Sequence, residues 1–152
     1  MHLTRRSFII TTLAATAATP ALADTPELNL SWTGLALRGV DATSYFTVGK
    51  PQKGSKEFSL DHKGGTYRFT SQANLEKFKA NPDAYLPAYG GFCSYGTAVN
   101  AKVDGDPYVW HIVDGQLYLN INRSIDSVWQ GNIPRFIKDA DKNWPDLQSK
   151  RS

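Results

Sequence analysis

The sequence contains almost no sulfur. Its 152 residues include one cysteine, Cys93, and one methionine, Met1. A single cysteine cannot form an internal disulfide, so the stability of the fold must come from packing. The 4 tryptophans, 7 tyrosines and 7 phenylalanines can supply the large apolar surfaces that such packing requires.

Long hydrophobic runs and clusters of positive charge are also missing. The most apolar stretch, residues 8–23, is short, rich in alanine and threonine, and interrupted by Pro20, so a stable membrane anchor is not expected. No cluster of lysine and arginine follows it, which argues against nucleic-acid binding. No internal repeat and no low-complexity segment is recognised in the sequence after residue 24.

The N-terminus has the pattern of a signal peptide. Arg5 and Arg6 precede the uncharged residues 8–23, and the small residues around Ala23 fit a cleavage site. The stretch "TRRSF" resembles the twin-arginine class of export signals. We therefore expect residues 1–23 to be removed and the mature protein to be exported, to the periplasm if the cell has an outer membrane.

The mature chain has the length of one domain. We expect a lead-in segment over residues 24–33, the domain over 34–147, and a tail over 148–152. Two stretches of alternating apolar and polar residues predict β-hairpins. The first is "KEFSLDHKGGTYRFT" with its turn at "DHKGG", and the second is "VWHIVDGQLYLNIN" with its turn at Asp114-Gly115.

Helices are predicted after each hairpin. Ser71 is placed as the N-cap of a helix that ends at Asn81-Pro82. The C-terminal segment predicts two short helices that end at Trp144-Pro145, whereas "VDATSYF" predicts a strand or an extended turn. Together these elements predict an α+β fold: a small antiparallel β-sheet built from hairpins and packed against several short helices, in a single domain.

These segments together resemble the exported branch of the YHS-domain family. The resemblance rests on "GVDATSYFTVGKPQKGSKEFS", "GGTYRFTSQANLEKFKANPDAYLPAYGGFCSYG", "VDGQLYLN" and the later "NWP", and it spans roughly residues 34–146. It implies a fold of this kind and the handling of heavy metals, copper especially. Cysteine-bearing members carry thiols just after the second strand, where this chain has "RFTSQAN" and no cysteine. The cysteine that this chain does have, Cys93, lies further on, in a segment that resembles "YGGYCAYG" of the exported branch.

Cys93 follows Gly90-Gly91, which can turn the chain, and "FCSYGTAV" predicts the start of a short helix. In the first turn of a helix, the backbone N–H groups and the macrodipole favour an anion and lower the pKa of a thiol. We therefore expect Cys93 to be an accessible thiol of low pKa that binds a soft metal ion or reacts. The alternative is a buried cysteine that acts as a small apolar side chain.

The histidines of the mature chain are candidate partners of this thiol. His111 lies in a predicted strand, with its side chain on the face opposite that of Trp110. Thiolate and imidazole together suit Cu(I) or Zn(II), so the metal-ligand candidates are Cys93, His111 and His62, and copper is the expected cofactor. His62 lies in the "DHKGG" turn, where a solvated surface histidine is the alternative.

No catalytic motif is recognised. Asp104, Asp106 and Asp114 lie in turns that contain glycine, where aspartate is favoured for its backbone hydrogen bonds. A hydrolase built from Cys93, His111 and Asp114 has no spacing or motif to support it. We therefore expect a protein that is not an enzyme.

Three functions stay open at this point. The first is an exported protein that binds a metal ion through Cys93. The second is a thiol-redox protein, or a homodimer linked by a disulfide at Cys93. The third is an interaction domain that binds a partner and no metal.

Overall fold

The computed structural model describes residues 27–150. The predicted signal peptide, with Arg5, Arg6 and Ala23, lies outside the described residues. Within them, short helices alternate with two pairs of strands. The elements are α1 (Ser44–Thr47), β1 (Ser55–His62), β2 (Gly65–Phe69), α2 (Gln72–Ala80), α3 (Ser94–Ala98), β3 (Asp106–Val113), β4 (Gln116–Asn120), α4 (Arg123–Gln130) and α5 (Ile133–Leu147).

The predicted α+β class and both predicted hairpins are confirmed. β1 pairs antiparallel with β2, and β3 pairs antiparallel with β4, as two separate two-stranded sheets. The turn residues Asp114 and Gly115 have φ of 50° and 78°, which is the left-handed geometry of a type I′ turn. This geometry explains why an Asp-Gly pair connects the strands.

Two local predictions are wrong. "VDATSYF" is not extended, because the carboxylate of Asp41 accepts hydrogen bonds from the N–H and the hydroxyl of Thr43 and turns the chain into α1. The C-terminal helix does not end at Trp144-Pro145 but continues to Leu147. Pro145 removes one amide hydrogen near the helix end, and the next turn still closes, since the Gln148 N–H donates to the Trp144 carbonyl at 2.8 Å.

The core consists of two clusters that meet at β4. Leu117 and Leu119 point into the first cluster, with the side chains of β2 and α2, whereas Tyr118 points into the second, with Trp129. Side chains also alternate along β3, so Trp110 packs against the first cluster and His111 packs on the ring of Trp129. The predicted opposite orientation of Trp110 and His111 is therefore confirmed.

The two halves of the described chain repeat one backbone pattern, although no repeat is recognised in the sequence. We call residues 35–82 the first unit and residues 87–133 the second unit. Each begins with three left-handed residues: Leu37, Arg38 and Gly39 have φ of 51°, 49° and 82°, and Tyr89, Gly90 and Gly91 have φ of 54°, 61° and 85°. The same backbone turn thus opens both units.

The pairing of strands and bridges repeats as well. The parallel bridge Leu35–Thr66 and the antiparallel bridge Val40–Lys53 of the first unit recur as Pro87–Leu117 and Phe92–Asp104. Each unit then has an eight-residue strand, a two-residue left-handed turn and a five-residue strand, with a register irregularity at the same place. Ser71 and Asn122 cap the helices that follow. The repeat escapes inspection of the sequence because few residues coincide, among them Gly64 with Gly115 and Tyr67 with Tyr118.

The second unit is covered by α5. Trp144 packs against Tyr89 with ring centroids 5.8 Å apart, and Asn143 donates to the carbonyls of Thr97 and Ala98 at the end of α3. None of the described helices is both long enough and apolar enough to span a bilayer.

Candidate functional site

Cys93 lies at the start of α3, as the sequence predicts. Its backbone is extended, and its sulfur accepts a hydrogen bond from the Gly96 N–H at 3.4 Å, so the side chain is the N-cap of the helix. The thiol donates to Oδ1 of Asn120 at a distance of 3.6 Å. Cys93 therefore both caps a helix and begins a chain of polar contacts.

The expectation of an accessible thiol with a low pKa is wrong. Cys93 is 1% exposed, enclosed by α3 and β4. Burial raises the pKa of the thiol, and the backbone N–H groups around the sulfur offset this only in part. The cost of desolvating a thiolate thus raises the pKa more than the N–H groups at the helix start lower it. An enclosed thiol is also shielded from an external oxidant and from a second chain, which disfavours the redox and disulfide-dimer hypotheses.

Three further side chains extend the contacts of Cys93 toward the surface. Asn120 donates from Nδ2 to Oδ1 of Asp126 at 2.9 Å, and both carboxylate oxygens of Asp126 lie 2.9 Å from Nε2 of His111. We call Cys93, Asn120, Asp126 and His111 the Cys93–His111 network. It connects the two strongest sequence-predicted ligand candidates, although they do not contact each other.

Asp126 is the centre of this network. It lies on the inner face of α4, is 7% exposed, and also accepts a hydrogen bond from Gln130 at 2.7 Å. Burial raises the pKa of this carboxyl group, but the hydrogen bonds from His111 and Asn120 and the charge of His111 outweigh burial and leave the pKa below its usual value. The carboxylate is therefore held ionised and orients the amide and the imidazole around it.

His111 forms the outer end of the network. Its side chain is 30% exposed, and its ring packs on Trp129 with centroids 5.5 Å apart. Because Asp126 is ionised, Nε2 carries the hydrogen that it donates to the carboxylate. In the neutral imidazole, Nδ1 is then the nitrogen with a lone pair.

His62, the third ligand candidate, lies in the first unit. Its ring makes edge contacts with Tyr67 and Phe78, at 6.2 Å and 5.6 Å between centroids, and its Nε2 is buried without a hydrogen-bond partner. Burial, followed by the charge of Lys63, lowers the pKa of His62. Within the described chain no contact joins His62 to the Cys93–His111 network.

Of the aspartates predicted to lie in turns, Asp114 does so and takes the left-handed position. Asp106 is instead the first residue of β3, where it accepts a hydrogen bond from the Tyr108 N–H at 2.9 Å, and Asp104 forms a bridge with Phe92. The carboxylate partner of His111 is Asp126 and not Asp114, so the hydrolase combination considered from the sequence is not assembled.

The residues that connect the candidates, Asn120 and Asp126, are not identified from the sequence. One signal was available for each. Asn120 shares the strand face of Tyr118, two positions apart, and Asp126 precedes the buried Trp129 by three positions on one helix face. A polar side chain at an inward-facing position needs a partner, and this requirement marks both residues.

The Cys93–His111 network contains few side chains that can bind a metal ion. Across residues 27–150, no three or more His, Cys, Asp or Glu side chains form a group that could hold a metal ion. A closed structural zinc site with four protein ligands is therefore not formed there. Cys93 and His111 are donor types that Cu(I) prefers, but Asn120 and Asp126 lie between them, so the structure does not bring the two donors together.

Comparison with known protein families identifies one segment of the chain. The family model of the YHS domain matches residues 43–89. A YHS domain is therefore found at these residues. The YHS match begins inside the first unit, covers its hairpin and α2, and ends at Tyr89, before Cys93. No curated protein and no solved structure matches the chain at a significant level.

Proposed function

We propose that this protein is a binding module that holds a soft metal ion, Cu(I), through Cys93. The observation that supports the proposal is the one thiol of the chain, whose sulfur is fixed by hydrogen bonds with Gly96 and Asn120. Cu(I) favours sulfur donors. YHS domains are associated with copper handling, and the segment that matches the family model, residues 43–89, ends before Cys93.

Binding would exchange one proton for the metal. The thiol of Cys93 would release its proton to solvent, and the sulfur–metal bond would replace the hydrogen bond to Asn120. Enclosure by the protein would then keep water from the bound ion, because the surroundings of a metal site control solvent access.

Cys93 and His111 are not arranged as a nucleophile and its base. Cys93 contacts an amide oxygen rather than an imidazole, and Nε2 of His111 is committed to Asp126. Nucleophilic catalysis needs the base within hydrogen-bond reach of the nucleophile. In the described part of the chain, the Cys93–His111 network does not meet this condition.

A competition experiment tests the proposal. Wild-type protein, titrated under anaerobic conditions against a chromogenic Cu(I) chelator, should bind one equivalent of Cu(I), and Cys93→Ala should lose that binding. Ser94→Ala is the matched control, because Ser94 is equally buried, adjacent to Cys93, and has no hydrogen-bond partner to lose. Wild-type protein that fails to compete with the chelator would refute the proposal.

The second candidate is an interaction domain without metal. It is favoured by apolar side chains exposed on the second unit, among them Tyr108, Ile112 and Val128. It also agrees with the fact that each member of the Cys93–His111 network already has a protein partner. A wild-type protein that folds normally and binds no Cu(I) would support this candidate.

The proposed location is outside the cytoplasm, based on Arg5-Arg6 and the cleavage pattern that ends at Ala23. N-terminal sequencing of the exported protein should begin at Asp24. Replacing both arginines with lysine should block export by the twin-arginine route, and unchanged export would show that another route is used.

A further inference from the structure

The outer edge of β3 has no neighbouring strand. Across residues 27–150, β3 pairs with β4, and no other backbone hydrogen bond or bridge reaches it. Val113 and Gln116 flank the two-residue turn as a hydrogen-bonded pair, and hydrogen-bonded pairs then alternate along the hairpin with pairs that are not bonded. Ile112 and Trp110 belong to the pairs that are not bonded, so their N–H and C=O groups face away from β4.

The strands β1 and β3 hold equivalent places in the two units. Each is the first strand of a hairpin with the same register, the same irregularity and a left-handed two-residue turn. The register gives three pairs of equivalent positions along the edges: Glu57 and Tyr108, Ser59 and Trp110, Asp61 and Ile112. The correspondence continues into the next helices, where Leu75 of α2 and Asp126 of α4 each donate an N–H to the carbonyl of their helix cap.

The edge of β1 is protected against pairing with another chain. Its carboxylates at Glu57 and Asp61 are exposed, and between them the Ser59 hydroxyl donates to the Lys56 carbonyl at 2.8 Å. Charged side chains on an edge strand disfavour the approach of a further strand. The first unit therefore shows how this backbone looks when its edge stays unpaired.

The edge of β3 lacks this protection. Tyr108 and Ile112 replace the two carboxylates, and their side chains are 53% and 37% exposed. Trp110 lies between them and packs edge-on against Tyr45, so its ring serves the interior of the molecule. Neither Tyr108 nor Ile112 belongs to the two core clusters of the described chain. An apolar strip thus lies beside free backbone groups, the combination that recognises a peptide by strand addition.

The ends of this strip are acidic. Asp104 and Asp106 precede it, Asp114 follows it, and residues 103–122 contain no lysine or arginine. None of the ion pairs within residues 27–150 uses these three carboxylates. In the first unit, Lys53 forms the bridge that corresponds to that of Asp104, and Lys63 has the turn position of Asp114. The charge at both ends of the edge is therefore reversed between the units.

A second copy of this chain does not complement the edge. If two β3 strands paired antiparallel through Trp110 and Ile112, Asp106 of one chain would lie diagonally opposite Asp114 of the other, on the same face. Like charges across a strand pair are destabilising. The edge is instead complementary to a segment with apolar residues in the middle and basic residues at its ends.

We infer that the free edge of β3 binds an extended segment of a partner protein by strand addition, and that this segment has apolar side chains at alternate positions between basic ends. Trp110 and Ile112 each supply one backbone donor and one acceptor. Tyr108 and Ile112 contact the apolar side chains, whereas Asp106 and Asp114 pair with the basic ends. The surface uses no atom of Cys93, so the inference is independent of Cu(I) binding.

A peptide titration of the metal-free, isotope-labelled protein tests the inference. The capped peptide KTVTVTVTK should bind saturably, with the largest amide shifts at Trp110 and Ile112 and slower hydrogen exchange of both N–H groups. The peptide ETVTVTVTE differs only at its ends and should bind about 10-fold more weakly at low ionic strength, with a smaller difference in high salt. No saturable binding of KTVTVTVTK up to about 1 mM, or largest shifts in β1, would overturn the inference.

Ile112→Pro is the decisive variant. It removes the outward N–H but no hydrogen bond to β4, and proline is tolerated at such an edge position, so the protein should fold. Its affinity for KTVTVTVTK should fall about 10-fold or more. If this variant does not fold, Tyr108→Thr/Ile112→Thr keeps strand-forming residues and should also weaken binding about 10-fold. Val128→Thr, at an exposed apolar position of α4, is the matched control and should bind as the wild type does.

The role of charge has its own variant. Asp106→Asn/Asp114→Asn keeps the oxygen that accepts from the Tyr108 N–H, and Asn-Gly also forms a type I′ turn. This variant should bind KTVTVTVTK and ETVTVTVTE with similar affinities. A wild-type preference for the lysine peptide that persists in the variant would contradict the assigned role of the two carboxylates.

The remaining outcomes are separable from the proposed function. Amide shifts at Trp110 and Ile112 that depend on protein concentration without peptide would place a second copy on the edge and overturn the inference. Unchanged peptide affinity in folded Ile112→Pro would overturn it as well. Cu(I) binding is measured separately, so failed peptide binding beside Cys93-dependent Cu(I) binding would refute this inference alone, and the opposite result would refute only the proposed function.

Discussion

The first unit, residues 35–82, and the second unit, residues 87–133, share a backbone and differ in the polarity of their interiors. The first packs Leu60, Phe69 and Leu75 together with Phe78. At the positions of those first three residues, the second unit has a connected imidazole, amide and carboxylate. Both solutions fold, because the polar side chains of the second unit hydrogen-bond to one another.

The two units share their local backbone features but differ in the side chains of their interiors. Both units retain the left-handed opening turn, the type I′ hairpin turn and the N-capped helix, which are local backbone features. Three interior positions between these features are apolar in the first unit, at Leu60, Phe69 and Leu75, and polar in the second. The four predictions that follow test this separation, beginning with the largest expected effect.

Phe78 in the first unit and Trp129 in the second should contribute equally to stability. Phe78 and Trp129 are both fully buried at corresponding helix positions. Phe78→Ala and Trp129→Ala should each lower the free energy of unfolding by about 3–5 kcal/mol, through lost burial and the cavity that remains. Urea denaturation measures both values. A loss below about 1 kcal/mol for only one of the two would break the correspondence between the units.

The side chains of Asp41 and Cys93, which follow the two opening turns, should differ in their contribution to stability. Asp41→Ala should destabilise the protein by about 3 kcal/mol, because it leaves the buried N–H groups of Thr43 and Thr70 without their acceptor. Cys93→Ala removes a weaker cap and should cost about 1 kcal/mol. Thermal and urea unfolding of the metal-free proteins would compare the two losses. A larger loss of stability for Cys93→Ala than for Asp41→Ala would contradict this prediction.

The hairpin turns should be equivalent. Gly64 and Gly115 have φ of 87° and 78°, and a Cβ added at either position meets no atom within 4 Å. The cost of Gly64→Val or Gly115→Val therefore comes from the backbone alone and should be about 1 kcal/mol for each. An unchanged melting temperature for either variant would mean that its turn does not need the left-handed conformation.

The smallest effect concerns acid stability. The pKa of Asp126 is lower in the folded protein than its usual 3.8, because the hydrogen bonds and charge of its partners outweigh burial. Such a group stabilises the fold fully above its unfolded pKa, and this contribution is lost as the pH falls through the lower folded value. Asp126→Asn should therefore flatten the dependence of unfolding free energy on pH below about 4.

Leu75→Val is the control for this measurement, since it alters the equivalent position of the first unit without touching a titratable group. It should keep the wild-type pH dependence. An Asp126→Asn protein with the same acid-induced loss of stability as the wild type would assign that loss to other carboxylates.

Local features of this protein were predictable from sequence because they depend on near neighbours. Asp114-Gly115 marks its turn through the φ angles that glycine allows, and Ser71 marks its helix start through one hydrogen bond to the residue three positions later. The placement of Cys93 at a helix start follows from the same reasoning. Alternation along β3 was enough to separate Trp110 from His111.

Only the tertiary structure determined the environment of Cys93 and which residues form the Cys93–His111 network. The sequence places Cys93 and Asp126 far apart, and their connection through Asn120 depends on how α3, β4 and α4 pack together. The pKa of the thiol is set by that enclosure, which no local pattern encodes, so a helix start that favours the thiolate was outweighed by desolvation. The internal repeat was hidden for a related reason: a backbone pattern can persist while the interior residues change, provided that each new polar group finds a partner in three dimensions.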